Sequence, residues 1–203
     1  MSGVILSRSA RIVGALLALT AAVGLALQVE MFVGQLGPRL GPWRWLGFFT
    51  VWANLLAVPV GAAVAAGRGQ GQRAVLVLVV ALAGVGLVYS LLLRGLWNEQ
   101  GTQQLVGIFL HDLTPLLAGA LWVMSPHGKL GLRDLAAAVM FPFVFLLSAE
   151  LRGAIEGWYP YAFLDPAAQG IGGLALSLGA TLSVFALIAA ALIVIDSRLE
   201  RRG

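Results

Sequence analysis

Six long apolar runs, nearly free of charge between their ends, constrain this chain more than any other feature. They cover residues 12–34, 46–66, 74–93, 105–124, 135–151 and 171–195. A helix needs ~20 apolar residues to cross a bilayer's hydrocarbon core, and each run is of that order. The breaks carry turn chemistry: "GPRLGPWR", "GRGQGQR", "WNEQGTQ", "SPHGKLGLRD" and "GWYPYAFLDPAAQG". In hydrocarbon no water satisfies the backbone, so only helices and closed barrels can span it. The alternation over ~10-residue segments that marks a membrane barrel is absent. The expected fold is therefore all-α: a single transmembrane domain over residues 1–203, built as a bundle of six spanning helices.

Composition sharpens this reading. Hydrophobic residues make up 60% of the chain and charged residues 11%, where a soluble domain carries about 25% charged residues. The net charge of +4 belongs to helix ends and does not signal nucleic acid. The absence of cysteine excludes disulfides and thiolate-held metals or clusters. Histidine occurs only at positions 111 and 127, so no metal or cofactor is expected. With a cytoplasmic N-terminus, Arg8, Arg11, Arg68, Arg73, Lys129, Arg133, Arg198, Arg201 and Arg202 fall inside. Only Arg39, Arg44, Arg94 and Arg152 fall outside. The positive-inside bias thus puts both termini in the cytoplasm. Trp43, Trp45, Trp97, Trp158, Tyr159 and Tyr161 form an outer aromatic belt, with Trp122 at the inner interface. Every basic residue but Lys129 is Arg, as in translations of GC-rich bacterial genes, and the expected location is the bacterial inner membrane.

This topology gathers the polar residues of the spans in one half of the membrane. Glu30, Thr50, Asn54, Arg94, His111, Asp112, Glu150 and Arg152 all fall in the outer half. Ionisable groups at membrane depth normally face a bundle interior or a wet cavity. The expectation is a polar cavity opening toward the outer leaflet. Each residue also has a purely structural reading. Glu30, Arg94, Glu150 and Arg152 lie near enough to the interface to snorkel. Thr50 and Asn54 share a helix face, and a Thr in a membrane helix commonly bonds a carbonyl one turn back. His111 lies too deep to snorkel, and its side chain is the one best suited to proton transfer near neutral pH. Asp112 diverges from it by ~100° around the helix and is expected to pair with Arg94 or to cap a polar network. Pro115 is expected to kink the helix and free a carbonyl beside His111.

The segments "PWRWLGFFTVWANLL", "FLHDLTPLL" and "LRGAIEGWYPYAFLDP" resemble the signatures of bacterial six-pass membrane proteins called Pr-six-Pr. That family is similar to the eukaryotic androgen-induced-gene and androgen-dependent TFPI-regulating proteins, threonine hydrolases of fatty acid esters of hydroxy fatty acids. The resemblance runs in order from the second helix to the loop after the fifth. It implies Thr50 as nucleophile and His111 as base. The bacterial group often has an Asp before a Trp later in helix four; here that place is Leu121, before Trp122.

A hydroxyl becomes a nucleophile when a base takes its proton, and the two candidates sit at similar depth on inward-running helices. The first function expected is hydrolysis of lipid esters, with a membrane lipid or fatty acid ester as substrate. Asn54, Arg94, Arg152, Tyr159 and Tyr161 are candidate oxyanion or substrate groups, and Glu30 or Glu150 a candidate partner for His111. The alternative is a proton-linked transporter or small-molecule binder using His111, Asp112 and Glu150. A purely structural polar network is a third reading. The sequence carries no signal for oligomeric state.

Overall fold

The computed structural model describes residues 6–94 and 100–200. Those residues are helical, with no strand among them. The helices are α1 (Arg8–Trp45), α2 (Phe49–Ala65), α3 (Gln72–Val88), α4 (Thr102–Val123), α5 (Leu132–Glu156) and α6 (Pro166–Glu200). A π-turn, Tyr89–Leu93, continues α3, and a second, Ile108–Leu113, interrupts α4. Five helices are long and apolar enough to cross a membrane, while α2 is apolar but has 17 residues. Trp97, Arg201 and Arg202 of the sequence reading lie outside the described residues.

Two segments read as loops contribute helix, and one span runs longer than its apolar run. "GPRLGPWR" is expected to be irregular, but the helix resumes through it to Trp45 after a break at Gly37, where φ is +81°. A residue without Cβ reaches that φ freely, and Pro38 has the φ a restarting helix requires. In α6 a similar break falls at Gly170. α5 runs on past residue 151 to Glu156 and stops at Gly157 in the left-handed region.

Helices alternate in direction. One end of the bundle carries the α1–α2 and α5–α6 connections, joined by Trp43 Nε1 and Arg44 Nη1 donating to Glu156, each at 2.8 Å. The other carries the α2–α3 and α4–α5 connections, where Arg73 pairs with Asp134 at 2.6 Å and Arg11 Nε donates to the Ala65 carbonyl at 3.0 Å. There too Asp196 of α6 accepts from the backbone N–H of Gly128 (2.8 Å) and meets His127 Nδ1 at 2.9 Å. We refer to these as the site end and the termini end.

The core explains the order. α3 buries residues on every side, including Leu76, Leu78, Val80 and Leu82, because it is apolar all round and has helices on all sides. α1 and α2 cross at backbone distance. A Cβ on Gly61 would stand 2.6 Å from the Gly14 carbonyl oxygen, so only the missing side chain allows the approach. The outward faces are apolar as well: Leu19, Leu116, Leu147, Ile171 and Leu187 are exposed. Such a coat is an association liability in water and a normal surface against lipid tails.

Candidate active site

Thr50 is the second residue of α2, and this position decides what its hydroxyl does. Thr114, Thr181 and Ser125 each bond the carbonyl four residues back. At Thr50 the residue four back is Leu46, which precedes the helix, so the hydroxyl turns elsewhere. Its Oγ1 lies 3.3 Å from His111 Nε2. The first turn of α2 has no side-chain cap, and the Phe49 N–H donates to the Tyr161 hydroxyl at 3.1 Å. That hydroxyl also contacts the Thr50 side chain and backbone N–H. Thr50 thus sits at the positive end of the α2 dipole, where the first N–H groups of the helix are met by the Tyr161 hydroxyl.

His111 reaches this point because α4 is not a regular helix there. The π-turn over Ile108–Leu113 widens the coil, and such turns recur at functional sites. Pro115, lacking an N–H, cannot bond the His111 carbonyl; the helix answers with this bulge, where the sequence reading expects a kink. The Leu110 carbonyl accepts from Thr114 Oγ1 at 3.1 Å and Asn54 Nδ2 at 3.4 Å. Tyr89, on the π-turn of α3, stacks on the His111 ring with centroids 4.0 Å apart and planes 14° from parallel. Arg94 lies over the Tyr89 ring, 4.8 Å from its centroid, and pairs with Asp112.

Two cavities meet at this pair. One is a narrow pocket among α2, α3, α4, α5 and α6, walled by Phe49, Val85, Phe145, Leu146 and Phe185. The other is a wider cleft that reaches Gln28, Gln35 and Gln103 and is lined as well by Met31, Phe32, Phe48 and Val106. Thr50, Tyr89, His111 and Tyr161 line both.

Several residues named from sequence lie elsewhere. Glu30 is exposed on α1 and Glu150 sits beside Asp165 and Tyr159; neither lines a cavity shared with His111. Arg152 donates to the Trp43 carbonyl at 2.8 Å and covers the Trp43 ring. Tyr159 packs on Gly153. Asn54 is fully buried, but its amide nitrogen is turned to the carbonyls of Thr50 (2.9 Å) and Leu110, leaving no N–H for an oxyanion. Asp112 is committed to Arg94. Among described residues no carboxylate bonds His111, whose Nδ1 is buried without a hydrogen bond of normal geometry; its ring approaches the Gly107 carbonyl. No group of three or more His, Cys, Asp or Glu among them is placed to hold a metal ion.

Sequence reasoning missed Tyr89, Gln28 and Gln103. Gln28 had a signal, an uncharged polar side chain inside an apolar run; Tyr89 had none.

No protein-family model, curated protein or solved structure matches this chain.

Proposed function

We propose that this chain is an integral membrane hydrolase of fatty acyl esters, with six spans, both termini in the cytoplasm and the site end toward the outer leaflet. The contact between Thr50 Oγ1 and His111 Nε2, 3.3 Å, carries the reading. The resemblance to threonine hydrolases supports it independently of the geometry.

The reaction runs in two halves. His111 Nε2 takes the Thr50 proton as Oγ1 attacks the ester carbonyl. Negative charge gathers on the carbonyl oxygen at the amino end of α2, where the Tyr161 hydroxyl, itself accepting from the Phe49 N–H, is the donor at hand. Fixed donors of this kind act most strongly in a water-poor site. Collapse of the intermediate expels the alcohol, which takes the proton from His111, and leaves an acyl ester on Thr50. Water then attacks that ester with His111 again as base, releasing the fatty acid and restoring the hydroxyl. Tyr89 holds the imidazole plane in place of an orienting carboxylate.

Transport coupled to protons is the weaker reading, because the stretch of α3 from Leu76 to Leu82, between the two ends, is aliphatic. The test is turnover of a long-chain aryl ester by the purified protein in nanodiscs. Thr50→Ala and His111→Ala are expected to abolish it, and Thr50→Ser to retain part of it. Wild-type turnover in both alanine variants, at unchanged thermal stability, would refute the assignment.

A further inference from the structure

The two cavities that meet at Thr50 differ in what they can solvate, and the difference names the alcohol half of the substrate. In the inner chamber, Thr181 is the one wall hydroxyl apart from the reacting groups and tyrosines. It is spent on the Ser177 carbonyl at 2.8 Å. Away from the reacting groups and the tyrosines, a hydroxyl or charge buried there finds no partner and is disfavoured. An acyl chain loses nothing.

The cleft is the opposite case. Gln28, Gln35 and Gln103 present amides to it, and no charged side chain is among the described residues that line it. Trp45 Nε1 donates to Gln28 Oε1 at 3.0 Å. An indole N–H can only donate, so the Gln28 oxygen must face Trp45 and its two N–H groups stay available. A primary amide both donates and accepts, as does a hydroxyl. A carboxylate or phosphate would need a cation, and Arg94, held on Asp112 and over the Tyr89 ring, is not among the residues that line the cleft.

We propose, resting on the hydrolase reading, that the substrate is a fatty acyl ester of an uncharged polyhydroxyl alcohol. The acyl chain occupies the aromatic chamber, the ester carbonyl lies at Thr50, and the alcohol's hydroxyls bond the glutamine amides of the cleft.

The experiment compares three esters of one fatty acid in nanodiscs: with glycerol, with a hydroxy fatty acid that keeps a free carboxylate, and with a long-chain alkanol. The glycerol ester is expected to be preferred in kcat/KM by about tenfold or more, the worth of one or two hydrogen bonds. Gln103→Leu and Gln35→Leu, at exposed positions, are each expected to lower the ratio of glycerol-ester to alkanol-ester kcat/KM several-fold. Equal or faster cleavage of the carboxylate-bearing or alkanol ester by a Thr50-dependent enzyme overturns the alcohol assignment alone. So does an unchanged ratio in both glutamine variants. Failure to cleave any of the three, or the aryl ester, overturns the hydrolase reading and this inference with it.

Discussion

At the scale of single residues, the site depends on where a common side chain stands in its helix. Thr50 differs from Thr114 and Thr181 only in lying at a helix start, where no carbonyl waits four residues back. Tyr161 is the residue whose removal is most informative. Burial pushes its hydroxyl up to about 12, so it remains a neutral donor across the working range. Tyr161→Phe is expected to lower kcat for the aryl ester about a hundredfold, the usual loss for one oxyanion donor, with a smaller change in KM. The raised value also sets the sign of a stability effect. The folded state holds the Tyr161 proton more tightly than the unfolded chain does. Its contribution is intact below pH 10 and is lost as pH rises from 10 toward 12. Tyrosinate absorbance of the wild type minus that of Tyr161→Phe should show one tyrosine that ionises only near the upper end of that window.

At the scale of elements, two irregular turns do what ideal helices would not. The π-turns of α3 and α4 bring Tyr89 against His111, and hydroxyl and amide side chains satisfy the Leu110 carbonyl inside the bulge. Close packing of α1 on α2 sets how firmly α2 is held. Gly61→Leu places a side chain where a Cβ already meets backbone at 2.6 Å. The helices must separate, at a cost of about 1–3 kcal/mol. The expected result is a lower unfolding temperature in detergent, with Thr50-dependent turnover reduced in proportion to folded protein. Gly34→Leu, where nothing lies within 4 Å of a Cβ, serves as the control and should leave the transition in place.

At the scale of the whole molecule, the candidate site and the Asp196 anchor lie at opposite ends of the bundle. Asp196, 1% exposed, binds the α4–α5 connection through Gly128, Leu130 and His127. Asp196→Ala leaves buried N–H groups without an acceptor, at about 1–3 kcal/mol each. We expect a clear loss of thermal stability at an unchanged kcat per folded molecule, measured well below the unfolding transition. A lost kcat in stable Asp196→Ala protein would mean the two ends are coupled.

What the sequence determined by itself is the helical, apolar character of the chain, because that depends on local runs of side chains and on composition. It also singled out Thr50, His111 and the Arg94–Asp112 pair, since polar groups stand out against an apolar background. It misjudged Glu30, Glu150 and Arg152, because helix depth locates a residue along the bundle axis and says nothing about which way it faces around the helix. Rotation about each axis is a property of packing. Only the tertiary structure decided that Asn54 serves two carbonyls, that Tyr89 is the neighbour of His111, and that Thr50 lies between an aromatic chamber and an amide-lined cleft. Those relations join residues far apart in the chain, and no local pattern encodes the distance between them.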